Sequence, residues 1–115
     1  MIKYIFFILS LFLYSNAYSE SIVKAGDSLI WDSENKSYTA TGSVEFSNDT
    51  FIAFSEKMIA KYVEQGGKEL FTVVELFKNV RIELKDEIFQ GDYAIYTRDN
   101  NTITMTGDVS IQSPT

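Results

Sequence analysis

The chain has 115 residues, 45% hydrophobic and 15% aromatic, with a net charge of −6 and neither cysteine nor histidine. Too few clustered Lys and Arg are present for nucleic acid or an anionic membrane surface to be a partner, since both are held largely through counterion release. Without cysteine or histidine the familiar zinc sites, thiol nucleophiles, nucleophile–base pairs and disulfide frameworks cannot be assembled.

Residues 1–19 read as a secretory signal peptide. Lys3 supplies the positive start, Ile5 to Tyr14 is apolar except at Ser10, and Ser15-Asn-Ala17 or Ala17-Tyr-Ser19 offers small residues for cleavage. The apolar stretch falls short of the roughly 17 to 25 residues that a spanning helix needs. Export without disulfides fits a periplasm, and an uncleaved leader would instead make an inner-membrane anchor. Loss of Lys3 leaves a mature chain of charge −7, and residues 20–115 form one small domain.

Residues 20–25 are a lead-in, and Asp27 to Asp32 is the first strand. Ser33 to Ser37 is a polar turn, followed by a strand to Ser47 and a tight turn at Asn48-Asp49. Phe51 to Val63 is apolar on both parities, which fits a strand buried on both faces or one whose parity is switched by a bulge; an amphipathic helix from Ser55 to Tyr62 is the competing reading. Glu64-Gln-Gly-Gly-Lys68 is a hairpin loop, Leu70 to Leu84 a long or bent strand, and Lys85 to Glu87 a turn. Ile88 to Thr97 is a strand, Arg98 to Asn101 a turn, and Thr102 to Gln112 the last strand. The class is all-β, with a free edge near the terminus that invites strand addition.

One strand motif occurs twice. Tyr38-Thr-Ala-Thr-Gly-Ser-Val-Glu-Phe46 reappears as Ile103-Thr-Met-Thr-Gly-Asp-Val-Ser-Ile111, each with one apolar parity interrupted by a central glycine. The match extends upstream through Gly26-Asp27 and Gly91-Asp92, Ile30 and Ile95, Trp31 and Tyr96, Asn35 and Asn100. A fainter middle copy places Glu56 with the aspartates and Lys78 with the glycines, where a bulge turning Lys78 outward or a mouth reaching water would accommodate its amine. Gly42 and Gly107, on the dry parity, are therefore the expected strand bends, and strands bent there fold the sheet into a trough lined with hydrocarbon.

Catalytic constellations are hard to find. Asp27 and Asp92 are the carboxylates the repeat singles out, and turn chemistry explains them better than a glycosidase pair. Gly66-Gly67 fits no phosphate loop, and the sequons at Asn35, Asn48 and Asn100 all fall in turns. Lys57, Lys61, Lys68, Lys78, Lys85 and Arg81 read as a solvated face. The aromatics are spread through strands, as packing or interior lining rather than a stacking platform.

Gly26-Asp-Ser-Leu-Ile-Trp-Asp32, the motif at 38–46, Glu56-Lys-Met-Ile-Ala60 and the Gly-Gly hairpin together resemble the OstA-like family over essentially the whole mature chain. The resemblance implies an antiparallel β-jellyroll of V-shaped strands with an apolar groove and open edges at both ends. It also implies a non-enzymatic role without a cofactor or bound metal: carrying lipopolysaccharide, through its lipid A acyl chains, from inner- to outer-membrane transport components, with copies joined edge to edge. The chain looks shorter than a full periplasmic bridge protein of that family. The inner-membrane-anchored component of the same pathway and a ligand-free β-edge assembly protein are the alternatives. On the carrier reading the groove is lined by Tyr38, Val44, Phe46, Met58, Val80, Ile82, Leu84, Ile103, Met105, Val109 and Ile111, for each of which ordinary core is the competing role.

Overall fold

Eight antiparallel strands form one sheet in the computed structural model, which describes residues 21–113. They are β1 (Ile22–Lys24), β2 (Ser28–Asp32), β3 (Ser37–Ser47), β4 (Ile52–Gln65), β5 (Lys68–Leu84), β6 (Glu87–Thr97), β7 (Thr102–Thr106) and β8 (Ser110–Gln112). The long strands β3 to β6 are neighbours in chain order. Beyond β3 lie β1 and β2, each pairing with a different half of it, and beyond β6 lie β7 and β8 in the same relation. The sheet does not close on itself. It is an all-β antiparallel jellyroll of V-shaped strands, as the family resemblance implies. The expected leader at 1–19 lies outside the described residues.

A bend crosses the sheet, and its cause is local backbone conformation. Apart from the Gly66-Gly67 hairpin, three pairs of consecutive residues have positive φ, all along this line: Gly42 (82°) and Ser43 (45°), Lys78 (70°) and Asn79 (51°), Gly107 (85°) and Asp108 (48°). Because each pair adds two residues to its strand, parity is preserved, and even-numbered residues stay inside β3 and β5 on both sides of the bend. In β4, without a left-handed pair, the parity switches: Ala53 and Ser55 are buried before the bend, Met58, Ala60 and Tyr62 after it. The ladder shifts register there between Phe54 and Lys57, and the buried Ser55 Oγ donates to the Lys57 carbonyl at 2.9 Å. This is the expected bulge, and ladder pairing along the whole of β4 excludes the helical alternative. Lys78 is turned outward by its bulge and is exposed.

The recurring Gly-Asp step is explained by contacts across this line. Gly26 N–H donates to the Gly42 carbonyl at 2.5 Å, and Asp92 N–H to the Gly107 carbonyl at 3.0 Å. A Cβ on Gly42 would lie 2.4 Å from Asp27 Oδ2, and one on Gly107 2.5 Å from Asp92 Oδ2. Each aspartate thus covers the bend glycine of the neighbouring strand, a packing role that the turn reading of Asp27 and Asp92 did not contain. In the middle unit Asn79 Nδ2 donates to Glu56 Oε2.

Two further expectations are corrected. The lead-in at 20–25 contains a strand, since Ile22–Lys24 pairs with Glu45–Ser47 once β3 has bent away from β2. The last strand is interrupted at its glycine: β7 follows one half of β6, β8 the other, and residues 107–109 belong to neither.

Candidate functional site

Strand register carries the interior face across the sheet in rows. On one wing, before the bend in β3, the rows run Trp31–Tyr38–Ala60–Val74–Tyr96–Ile103 and Leu29–Ala40–Met58–Leu76–Ala94–Met105. On the other wing the row is Val23–Phe46–Ala53–Ile82–Phe89–Ile111. Small residues in the middle of a row let bulky ones from the opposite wing approach, which is how a sheet folded on itself fills its interior.

The eleven expected lining residues separate into groups. Val44, Phe46, Met58 and Val80 are at most 1% exposed and belong to the packed core. Ile82, Leu84, Ile103 and Met105 line a cavity of about 420 Å³, together with Phe51, Phe89 and Tyr96, and with Thr50, Lys85 and Asn101. Tyr38 stands apart, among the rings of Trp31, Tyr62 and Phe71. Val109 and Ile111 are 52% and 57% exposed at the free edge and do not line the cavity, so the dry face of the last strand is not enclosed within one copy. Gly42 and Gly107 have φ of 82° and 85°.

Phe51, Phe89 and Tyr96 went unrecognised. Phe89 could have been found by pairing, since it stands between Ile82 and Ile111. Tyr96 matched Trp31 in the repeat. Phe51 had the weaker signal of an apolar residue ending a polar turn: Asn48 Oδ1 accepts the Thr50 and Phe51 N–H groups, both at 2.9 Å, and Asn48 N–H donates to the Phe51 carbonyl at 3.1 Å.

A second cavity of about 370 Å³ is lined by Ser21, Phe46, Asn48, Asp49, Thr50, Leu70, Phe71, Tyr96, Arg98 and Asn101. A third, about 460 Å³, lies at the bend between Phe54 and Val80 and the polar Asn79, Arg81, Gln90, Asp92 and Asp108. The Tyr38 hydroxyl donates to Glu69 at 2.6 Å and the Tyr93 hydroxyl to Glu75 at 2.6 Å. These bonds, with burial adding to them, push both phenols up to about 12, so each stays protonated at neutral pH. Asp32 is held below the usual carboxylate range by hydrogen bonds from Asn35 and Glu34.

The carboxylate pair that the repeat singles out is not brought together. Asp27 is bonded to β3 and Asp92 lies in β6, so the two stand about four strand positions apart, or roughly 19 Å at the usual strand spacing. Paired carboxylates of glycosidases stand only about 5 to 9.5 Å apart. Among the described residues no three acidic side chains cluster as metal ligands would.

The model of a known family, LptA/(LptD N-terminal domain) LPS transport protein, matches residues 24–115, which takes in every strand from the end of β1 onward. The chain belongs to the LptA/LptD N-terminal-domain family. It is thereby one of a family of lipopolysaccharide transport proteins rather than of enzymes. Among solved structures, one similar chain is LptH of Pseudomonas aeruginosa, described as the LptA homologous periplasmic component of the lipopolysaccharide transport device. Identity is 10%, coverage is 84% of this chain and 96% of that one, and the TM-score is 0.40. No curated protein sequence matches.

Proposed function

We propose that this member of the family is a periplasmic carrier, made of residues 20–115 after removal of the leader, that shelters lipopolysaccharide acyl chains between inner- and outer-membrane transport components. The observation that carries the reading is the apolar cavity lined by Phe51, Ile82, Leu84, Phe89, Tyr96, Ile103 and Met105. Its volume of about 420 Å³ lies in the range of small-molecule sites, roughly 300 to 1,000 Å³. Each methylene kept from water is worth about 0.8 kcal/mol, so a lipid with several acyl chains crosses an aqueous space only if the chains stay covered.

Edge-to-edge joining of copies is the second part of the proposal. The interior rows run out at both edges with large apolar side chains exposed: Leu29 (49%) and Trp31 (59%) on β2, Val109 and Ile111 at β8. A neighbouring copy or transport component placed against either edge would continue the rows and cover those side chains. Among the described residues no helix is long and apolar enough to cross a membrane. Sequencing the N-terminus of the mature protein separates a carrier freed of its leader from a form anchored by it.

The decisive experiment is photo-crosslinking in cells. A photoreactive residue at Met105 is expected to capture lipopolysaccharide, whereas one at the exposed turn residue Glu34 is not. Equal or absent adducts at the two positions would leave an assembly domain with a filled interior and no ligand.

A further inference from the structure

Two of the cavities in this sheet, of about 370 and 420 Å³, meet at a shared wall. Phe51 precedes β4 and sits in no strand, yet it is only 3% exposed. Its ring centroid lies 5.7 Å from that of Phe46, on its own wing, and 5.2 Å from that of Tyr96, on the opposite wing. Thr50, Tyr96 and Asn101 line both the 370 Å³ and the 420 Å³ cavities, whereas Phe46 faces only the first and Phe51 only the second. The contact of Thr50 and Phe51 with Tyr96 is therefore what stands between the compartments.

Other bulky interior groups, such as Met58, Leu76 and Ile82, project from long strands paired on both sides. Moving any of them means breaking a ladder. Phe51 hangs instead on a four-residue turn closed by the Asn48 side chain and one backbone bond, with ladder pairing resuming only at Ser47 and Ile52. Opening such a turn leaves the sheet intact. Each compartment also carries one cation among its lining residues, Lys85 in one and Arg98 in the other. The larger compartment, mainly apolar and with Lys85 at hand, suits an amphiphile with a linear hydrocarbon tail and an anionic head, whereas the smaller is walled mostly by polar groups, Asp49 and Arg98 among them, with Phe46, Leu70 and Phe71 as its apolar part.

We infer that Phe51, carried on the turn that begins at Asn48, divides the trough and so determines how long an acyl tail one copy can hold. The inference rests on the carrier reading and adds to it a residue that sets capacity. With Phe51 in place a tail fills one compartment and stops against the ring. With the ring swung out or truncated, the two compartments become one channel.

Fatty acids from octanoate to palmitate, titrated against the mature chain by displacement of cis-parinaric acid, test this. Each additional buried methylene raises affinity by about fourfold, and the rise ends at the tail length that fills the available space. In wild-type protein the rise is expected to end early, and in Phe51→Ala it should continue over several more methylenes. Phe51→Leu, a smaller change to the same wall, should end between the two and serves alone if the alanine variant does not fold. A shared end point in wild type and the folded variants overturns the divider while leaving the carrier reading in place. No uptake or displacement of cis-parinaric acid by any of the proteins removes the carrier reading and the divider together. Uptake by Phe51→Ala but not by wild type upholds the divider in its strongest form, a trough closed until the ring moves.

Discussion

Gly42→Ala perturbs the bend at one atom, and the structure fixes what that atom meets. Two costs add. An L-residue at φ +82° has left the region that side chains favour, which costs about 1–2 kcal/mol. The new methyl would also lie 2.4 Å from both Cγ and Oδ2 of Asp27 and 2.8 Å from its Cβ, so the aspartate must swing away or the strands must part. Overpacking of that kind typically costs about 1–3 kcal/mol. The expected loss is therefore about 2–5 kcal/mol, a large share of the roughly 5–15 kcal/mol that holds a domain together. Gly66→Ala is the matched control, since its φ is also positive, at 58°, but nothing lies within 4 Å of a Cβ there, leaving only the conformational cost. Urea unfolding followed by the emission of Trp31, the single tryptophan, measures both. Adding Asp27→Ala to Gly42→Ala removes the two closest contacts but leaves the Asp27 Cβ 2.8 Å away, so it should restore part of that roughly 1–3 kcal/mol, although Asp27→Ala alone changes little. Equal losses at Gly42 and Gly66, or no restoration in the double variant, would refute the account of the bend.

High pH should loosen the fold through two tyrosines. Tyr38 and Tyr93 titrate near 12 in the folded chain and near 10 when unfolded, so the stability they contribute is complete below pH 10 and drains away as pH rises toward 12. The melting temperature of wild type should fall across that window, and less steeply in Tyr38→Phe and Tyr93→Phe. Asn48→Ala leaves the Thr50 and Phe51 N–H groups without their acceptor and is expected to cost about 1–3 kcal/mol in urea midpoint terms, with a longer fatty-acid limit than wild type because the turn carrying Phe51 is loosened. Trp31, 59% exposed on the β2 edge, should shift its emission to shorter wavelength as protein concentration rises if copies cover that edge, and Val109→Asp at the opposite edge should abolish the shift. A concentration-independent spectrum would argue against joining through these edges.

The architecture was legible because its bends recur in sequence. Gly42 and Gly107 stood at matching places in a repeated motif, and the middle copy even placed Lys78 correctly, at a position where a positive φ is borne without glycine. The parity change in β4 was visible as apolar residues on both alternations, since a bulge leaves that trace. What alternation could not reveal was depth. Val44, Leu84 and Val109 all fall on the apolar side of their copies of the motif, yet the first is core, the second lines a cavity and the third lies at an open edge. Depth depends on how the wings approach each other, and that follows from the size of residues on different strands. Phe51 escaped for a related reason: its role comes from the opposite wing, and its own segment reads only as a turn.

The edges show how such a domain can leave its interior unfinished without becoming a template for aggregation. Long flat edge strands recruit other chains indiscriminately, and short ones limit the number of hydrogen bonds any newcomer can make. Here β1, β2, β7 and β8 have three, five, five and three residues, each covering part of a longer neighbour, and the bend separates the members of each pair. A joining chain must follow the same bend to pair with both halves, so shape selects the partner before side chains do. The apolar residues behind those short strands then supply the energy: Leu29 and Trp31 at one edge, Val109 and Ile111 at the other, each worth about 1.5–3 kcal/mol at most if fully covered. On the proposed carrier reading, selection by bend geometry and attachment by a few exposed side chains would give contacts that form specifically and come apart again, as handing lipid along a row of similar domains requires.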